Sequence, residues 1–134
     1  MKTLNIIIET AGNNYAAYVD GVDGIAVTGS SVSQIKERMQ EAIKVYIETC
    51  NELDLEIPEQ LQGDFELTFV MDTATLLAFY YGIFSMAGME RITGIHQKQL
   101  WHYATGQVKP RPKQRQRIET ALHKLGSELS AISL

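Results

Sequence analysis

Seven basic side chains lie between Glu90 and Glu119 with no acidic residue among them. They are Arg91, Lys98, Lys109, Arg111, Lys113, Arg115 and Arg117. Ammonium and guanidinium groups neutralise phosphates, and an acid-free run of this kind is typical of a surface that binds nucleic acid. The chemistry predicted for this segment is therefore the electrostatic binding of a polyanion.

Three carboxylates raise a different possibility, a metal-dependent nuclease. Glu9, Asp20 and Asp23 lie near predicted strand ends and could converge on divalent ions. Asp20 and Asp23 also flank turn glycines, however, where an Asp side chain bonds to the turn backbone, and this is the favoured interpretation. The three histidines are separated by five and twenty residues, which does not place metal ligands on one helical face. We expect no catalytic activity, no metal and no cofactor.

The net charge changes sign along the chain. Residues 1–72 contain four bases and thirteen acids, a net charge of −9, whereas residues 73–134 contain eight bases and three acids, a net charge of +5. A chain of 134 residues can form one ordinary domain or two small ones, each near the lower limit of roughly 60 residues. The sign change favours two domains, 1–72 and 73–134, and cores this small favour an oligomer.

The cellular location is predicted from cysteine usage and hydropathy. Cys50 is the only cysteine, so no intrachain disulfide can form, and its helix-periodic apolar position indicates a buried thiol. The N-terminal residues lack a signal-peptide core, and no run of about 18 apolar residues occurs. We expect a cytoplasmic protein that does not span a membrane.

The acidic half predicts three strands, a helix and a fourth strand. Three β-prone runs separated by glycine-containing turns predict an antiparallel meander. These runs are residues 4–8, 15–19 and 25–28. Ser31 and Gln34 have capping-box spacing, and apolar residues recur every three or four positions from Val32 to Cys50, which predicts a helix. Alternation from Phe65 to Met71 predicts the last strand.

This order, β-β-β-α-β, resembles the N-terminal domain of HicB-family antitoxins, whose fold is a truncated ribonuclease H sheet. The most specific match is Gly29-Ser30-Ser31-Val32-Ser33-Gln34, where Ser30 and Ser31 replace the family's Asp and Thr. The resemblance covers about Asn5 to Val70. It implies binding to a small basic, mRNA-cleaving toxin of the HicA kind, and a strongly negative domain would attract such a partner.

The basic half predicts an all-α bundle. Residues from Leu76 to Phe84 form a helix too apolar for a single core-facing stripe, so part of it is expected to cover another domain or subunit. A short helix begins at Ser85, and a second runs from His96 to a capping glycine at Gly106. Gly94 can take a left-handed conformation between them. Two short helices joined in this way form a helix-turn-helix.

The spacing resembles that of Cro/repressor-like DNA-binding proteins over about Thr75 to Leu125. The matching positions are Met89, Ile92, Gly94, Ile95, Leu100, Tyr103, Gly106 and Pro110. One departure is Glu90, because the family has a small residue four positions before the turn glycine. We expect either a looser crossing of the two helices or a Glu90 side chain that points outward.

In that family the recognition helix enters the major groove with its N-terminus first. The resemblance implies base-edge contacts from Gln97, Lys98, Gln99, Trp101 and His102. Backbone phosphates would be bound by Lys109, Arg111, Lys113 and Arg115. Gln pairs with adenine and Lys with guanine, each good pair contributing roughly 1–3 kcal/mol of discrimination. Leu100 and Tyr103 are expected to face the core and Trp101 to be partly exposed, with its role open.

Together the halves resemble a HicB-type antitoxin with a C-terminal helix-turn-helix. The resemblance implies a type II toxin–antitoxin role, in which one domain neutralises the toxin and the other represses the operon as a homodimer. The alternative is a free-standing transcriptional regulator whose acidic domain senses a ligand or a protein. The apolar tail, residues 127–134, is expected to pack on the partner domain or on a second subunit.

Overall fold

The chain folds into two compact units. The computed structural model describes residues 1–134, and these divide into Met1–Met71 and Asp72–Leu134. The division lies one residue before the boundary predicted from charge. The fold class is α+β, with one four-stranded mixed sheet and five α-helices.

The first unit contains the whole sheet and one long helix. Its elements are β1 (Lys2–Ala11), β2 (Asn14–Val19), β3 (Ala26–Gly29), α1 (Val32–Glu52), a short 3-10 helix (Glu59–Leu61) and β4 (Phe65–Val70). The strand order is β3-β2-β1-β4. The first three strands form the predicted antiparallel meander, and β4 pairs parallel with β1. The intervening elements supply the long connection that parallel neighbours require.

One face of the sheet and one face of α1 form the core of this unit. The buried core residues on these elements are Leu4, Ile6, Ile8, Ala17, Val19, Ile35, Met39 and Ile43. Strand register pairs Ile6 with Val19 and Ile8 with Ala17, so that buried side chains of adjacent strands lie side by side. Cys50, near the end of α1, is buried as predicted.

The step from β3 into α1 is capped and tightly packed. The Gln34 N–H donates to Ser31 Oγ at 3.1 Å, as predicted. The return bond differs from a capping box, because Gln34 Oε1 accepts the N–H of Ser30, at 2.8 Å, and not that of Ser31. A Cβ on Gly29 would lie 2.9 Å from Ile35 Cγ1. Strand and helix therefore approach each other at a distance that suits only glycine.

The second unit is entirely helical. Its helices are α2 (Thr73–Phe79), α3 (Met86–Thr93), α4 (Gln97–Ala104) and α5 (Pro112–Ser130). The Thr75 N–H donates to the Asp72 carboxylate at 2.7 Å, so α2 begins at the predicted boundary. The prediction of a helix from Leu76 to Phe84 is wrong beyond Phe79. Two tyrosines and Gly82 follow, all weaker helix formers than Leu or Ala, and the chain turns there.

The core of the second unit takes residues from all four helices. Leu77, Met89, Leu100, Tyr103 and Ile118 are each at most 4% exposed. The predicted inward positions of the fourth helix, Leu100 and Tyr103, are confirmed. None of the helices has the length and apolar character needed to cross a membrane.

The C-terminal half of α5 adds no buried residue to this core, because Ile118 is its only buried side chain. The helix continues to Ser130, so the first half of the apolar tail is helical. Leu129 and Ile132 are 58% and 61% exposed. Packing of this tail on the partner domain or on a second subunit stays a prediction.

Replacing Gly29 by Ala should destabilise the first unit. The added Cβ would overlap Ile35, and overpacking of this kind costs about 1–3 kcal/mol. Gly126→Ala is the matched control, since no atom lies within 4 Å of its added Cβ inside α5. The control should be neutral or gain roughly 0.5–1 kcal/mol. Chemical denaturation measures both, and an unchanged free energy of unfolding for Gly29→Ala would contradict the close approach.

Candidate nucleic-acid interface

Helices α3 and α4 are joined by a tight turn whose polar groups are hydrogen-bonded. Gly94 adopts φ +74°, the left-handed conformation, and its N–H donates to Glu90 O at 2.7 Å. The buried Thr93 hydroxyl donates to Met89 O at 2.7 Å and accepts the Ile95 N–H at 3.1 Å. With these groups paired and Ile95 buried, the turn holds the two helices in a defined relation.

The Glu90 side chain connects α3 to the start of α4. Its Oε1 accepts the N–H of Gln97 at 2.8 Å. This N–H is one of the donors that a helix start leaves unpaired, and a carboxylate there also faces the positive end of the helix dipole. Of the two expected ways to accommodate Glu90, the outward-pointing side chain is not the one found, because the carboxylate is turned toward the start of α4. A looser crossing of the two helices stays a prediction. This chain uses the larger residue as a cap between the two helices.

His96 supplies a second cap for α4. The predicted helix start at His96 is wrong by one residue, because His96 is the N-cap and its Nδ1 accepts the Lys98 N–H at 3.1 Å. At the other end α4 stops at Ala104, and Gly106 takes φ +77° just beyond the cap.

The five residues predicted to contact bases differ in exposure. Gln97, Lys98 and Trp101 are exposed on the outward side of α4, and Trp101 is 49% exposed. Gln99 and His102 are half-buried. The structure thus brings three of the five onto one open face. No residue of α4 itself is acidic, and the Glu90 carboxylate lies at its N-terminal end, bonded to the Gln97 N–H. The expected partial exposure of Trp101 is confirmed.

The four residues predicted to bind phosphates all lie on the surface of the second unit. Lys109 is in the loop after α4, Arg111 is the N-cap residue of α5, and Lys113 and Arg115 lie in its first turns. All four are exposed. Their positive charges are therefore available to solution.

Another member of the basic run has a structural contact. The Arg117 guanidinium packs over the turn, and its Nη2 lies 2.6 Å from where a Cβ on Gly94 would stand. Gly94 is needed for its positive φ, as the spacing of the turn predicts. The end of the flexible Arg117 side chain would have to move to make room for a Cβ at this position.

Sequence reasoning missed a groove beside the exposed face of α4. Its volume is about 430 Å³. Residues along it include Tyr81, Ser85, Met86, Lys98 and Trp101. The Tyr81 and Trp101 rings lie 6.0 Å apart between centroids and are tilted by 55°. The signal was the Tyr-Tyr-Gly sequence after α2, which marks a turn that carries Tyr81 out of the helix.

Tyr80, the neighbour of Tyr81, belongs to a separate aromatic cluster. Its ring centroid lies 5.1 Å from that of Phe79 and 6.3 Å from that of Phe84. Burial raises the pKa of the Tyr80 phenol, because the phenolate would lose solvation. The Tyr80 phenol therefore stays neutral at neutral pH.

The acidic candidates of the first unit lie in a strand and in a turn, and Glu9 is not at the strand end as expected, because β1 continues to Ala11. Glu9 accepts a hydrogen bond from the Tyr18 hydroxyl at 3.3 Å. Loss of solvent around the ring and the adjacent Glu9 charge raise the pKa of the Tyr18 phenol. Asp20 and Asp23 lie in the turn formed around two positive-φ glycines. No group of three or more His, Cys, Asp or Glu side chains is placed to hold a metal ion.

Comparison with known proteins adds no assignment. No protein-family model, curated protein or solved structure matches the chain. The function is therefore inferred from the geometry and from the sequence patterns.

Gly94→Ala and Gly106→Ala should each destabilise the second unit, by similar amounts. Both positions have positive φ, which costs an L-residue about 1–2 kcal/mol. A Cβ at Gly94 would meet only the movable end of the exposed Arg117 side chain, and no atom lies within 4 Å of a Cβ at Gly106. Thermal denaturation of both variants and the wild type measures this, and an unchanged melting temperature for either variant would contradict the left-handed conformation at that position.

Glu90→Ala should loosen the start of α4. Loss of a side-chain cap costs about 0.5–2 kcal/mol. Glu90→Gln keeps an oxygen acceptor and should retain part of this stability, which makes it the matched control. Amide hydrogen exchange at Gln97 measures the effect, and protection equal to wild type in Glu90→Ala would argue against the cap.

Proposed function

We propose that this protein is a HicB-type antitoxin of a type II toxin–antitoxin system. Its first unit binds and neutralises a small basic, mRNA-cleaving toxin of the HicA kind, and its second unit binds operator DNA as a homodimer and represses its own operon. In this proposal α3 and α4 form a helix-turn-helix of the Cro/repressor kind, with α4 as recognition helix. The observation that carries the proposal is the exposed face of α4, with Gln97, Lys98 and Trp101, presented by a capped turn.

The size of α4 suits the major groove. An α-helix with its side chains is about 10–12 Å across, comparable to the roughly 12 Å width of the groove. Gln97 and Lys98 lie in its first turn, at the end that enters first. Their donors and acceptor match base edges, so they would supply sequence discrimination.

The charges of the two units support different partners. Met1–Met71 has four bases and twelve acids, a net charge of −8, and Asp72–Leu134 has eight bases and four acids, a net charge of +4. The exposed Lys109, Arg111, Lys113 and Arg115 would bind phosphates with an affinity that falls as salt rises. The net charge of −8 on the first unit would attract a basic toxin and repel nucleic acid.

The topology of the first unit agrees with the family's truncated ribonuclease H sheet. Three antiparallel strands are followed by a helix and a strand that returns parallel to the first. We propose that this unit acts by binding alone, without catalysis. Binding of the first unit over the toxin would be enough to block the cleavage of mRNA by the toxin.

A specific observation favours the alternative, a free-standing regulator that senses a small ligand. A groove of about 700 Å³ lies between α1 and β4. Its apolar lining residues are Ile43, Ile47, Phe65 and Leu67, and Lys36 and Lys44 also line it. The neighbouring reading frame distinguishes the two functions. An antitoxin gene should adjoin a gene for a short basic protein, whereas the gene of a free-standing regulator need not.

The deciding experiment is co-expression with that neighbouring short gene, followed by co-purification and a gel shift on the upstream DNA. The antitoxin proposal requires that the two proteins form a complex that shifts the DNA. It also requires that this protein relieve the growth arrest caused by the toxin. A protein that shifts the DNA but binds no neighbouring product would favour the sensor. A protein that does neither would exclude both functions.

Lys98→Ala and Arg111→Ala should weaken DNA binding and leave toxin neutralisation intact. Losing a base contact at Lys98 should cost about 1–3 kcal/mol and relax specificity, whereas losing a phosphate contact at Arg111 should lower the salt slope by about one. Lys124→Ala, an exposed base in α5 outside the predicted interface, is the control and should bind as wild type. Quantitative gel shifts at several salt concentrations and a growth assay measure both activities. Variants that lose both together would contradict separate roles for the two units.

A further inference from the structure

The most conspicuous unexplained side chain on the proposed DNA-binding face is Trp101. It is the only tryptophan of the chain and is 49% exposed. The inward side of α4 is already occupied by Leu100 and Tyr103, both buried. Trp101 follows Gln97 by four residues and Lys98 by three, so all three lie on one helical face. Its indole therefore faces whatever Gln97 and Lys98 face.

The indole is held in place by a residue from a different element. Tyr81 lies in the connection between α2 and α3, and its ring centroid is 6.0 Å from that of Trp101 with a tilt of 55°. Tilted aromatic pairs at this separation are favourable beyond the area they bury. Tyr81 is itself 54% exposed. The two rings form one apolar surface beside the groove, oriented before any ligand arrives.

Few groups in the major groove match such a surface. Base edges there present hydrogen-bond donors and acceptors, and the apolar exception is the 5-methyl group of thymine. We propose that Trp101, braced by Tyr81, reads the 5-methyl group of a pyrimidine, which is thymine in unmodified DNA. This inference rests on the proposed DNA binding of α4 and adds a specificity-determining residue to it.

The surroundings favour DNA over a protein at this surface. Lys98 lines the same groove, and no acidic side chain is among its lining residues. The unit that carries it has a net charge of +4. An aromatic pair is also a common anchor in protein interfaces, and that occupant is an outcome of the test.

The test uses the full chain and its upstream DNA, narrowed by footprinting to a minimal site. Each thymine is replaced singly by deoxyuridine, which removes only the methyl group. At one position in each half-site the affinity of the wild-type protein should fall about fourfold, the contribution of one buried methyl. At that position a 5-methylcytosine–guanine pair should also bind about fourfold better than cytosine–guanine. Because Trp101 is the only tryptophan, its fluorescence should change on binding the thymine site.

Variants of Trp101 and Tyr81 distinguish the residue that contacts the methyl group from the residue that supports it. Trp101→Ala should bind more weakly and no longer distinguish thymine from uracil at that position. Tyr81→Phe keeps the ring and should retain the fourfold discrimination, whereas Tyr81→Ala should reduce it. Circular dichroism checks that each variant folds. If Trp101→Ala does not fold, Trp101→Phe replaces it in the test. Phe keeps an apolar ring, so this variant should retain part of the discrimination between thymine and uracil.

Several outcomes would overturn the inference. Discrimination that persists in Trp101→Ala, or a site without any methyl-sensitive thymine, refutes it while leaving DNA binding by α4 intact. A Trp101→Ala protein with unchanged DNA affinity but lost dimerisation or toxin binding would assign the rings to a protein interface. A wild-type protein that binds no DNA specifically would remove the proposed function as well.

Discussion

The left-handed turn at Gly94 fixes the orientation of α4, on which the proposed interface depends. A helix of eight residues is unstable alone in water, so its position must come from tertiary contacts. Three such contacts converge here: the Glu90 carboxylate pairs with the first N–H of α4, Arg117 packs over the turn, and Ile95 inserts into the core. The outward side chains of α4 are thus presented by a joint made by α3, α5 and the turn together.

Separate cores allow the two units to carry opposite charge. Each unit has its own cluster of buried apolar residues, so neither needs the chemistry of the other's surface for stability. A net charge of −8 on Met1–Met71 would weaken DNA binding if it were spread over the basic face. Segregation keeps Asp72–Leu134 positive where phosphates would approach. It also leaves the first unit negative, as binding of the proposed basic toxin would require.

Periodicity in the sequence predicted those elements in which the repeat of apolar residues along the element itself determines which face is buried. The alternation of β1 and the three- to four-residue repeat of α1 each depend on one buried face, and both elements formed as predicted. The parallel pairing of β4 with β1 could not be read in this way, because it joins residues about sixty positions apart. The bond from Glu90 to the start of α4 and the contact of Tyr81 with Trp101 could not be predicted from periodicity either. Their partners are set by how helices meet, and a pattern along one helix contains no information about that.

The exposed tryptophan shows how fold and function can be separated on one short helix. Leu100 and Tyr103 satisfy the core, so a polar residue at position 101 would serve folding equally well. An aromatic side chain there leaves apolar surface in contact with water, which is unfavourable unless something covers it. Tyr81 covers only one side, since both rings remain about half exposed. The core of the unit therefore does not require Trp101, whereas the proposed DNA contact would cover the surface that Tyr81 leaves open.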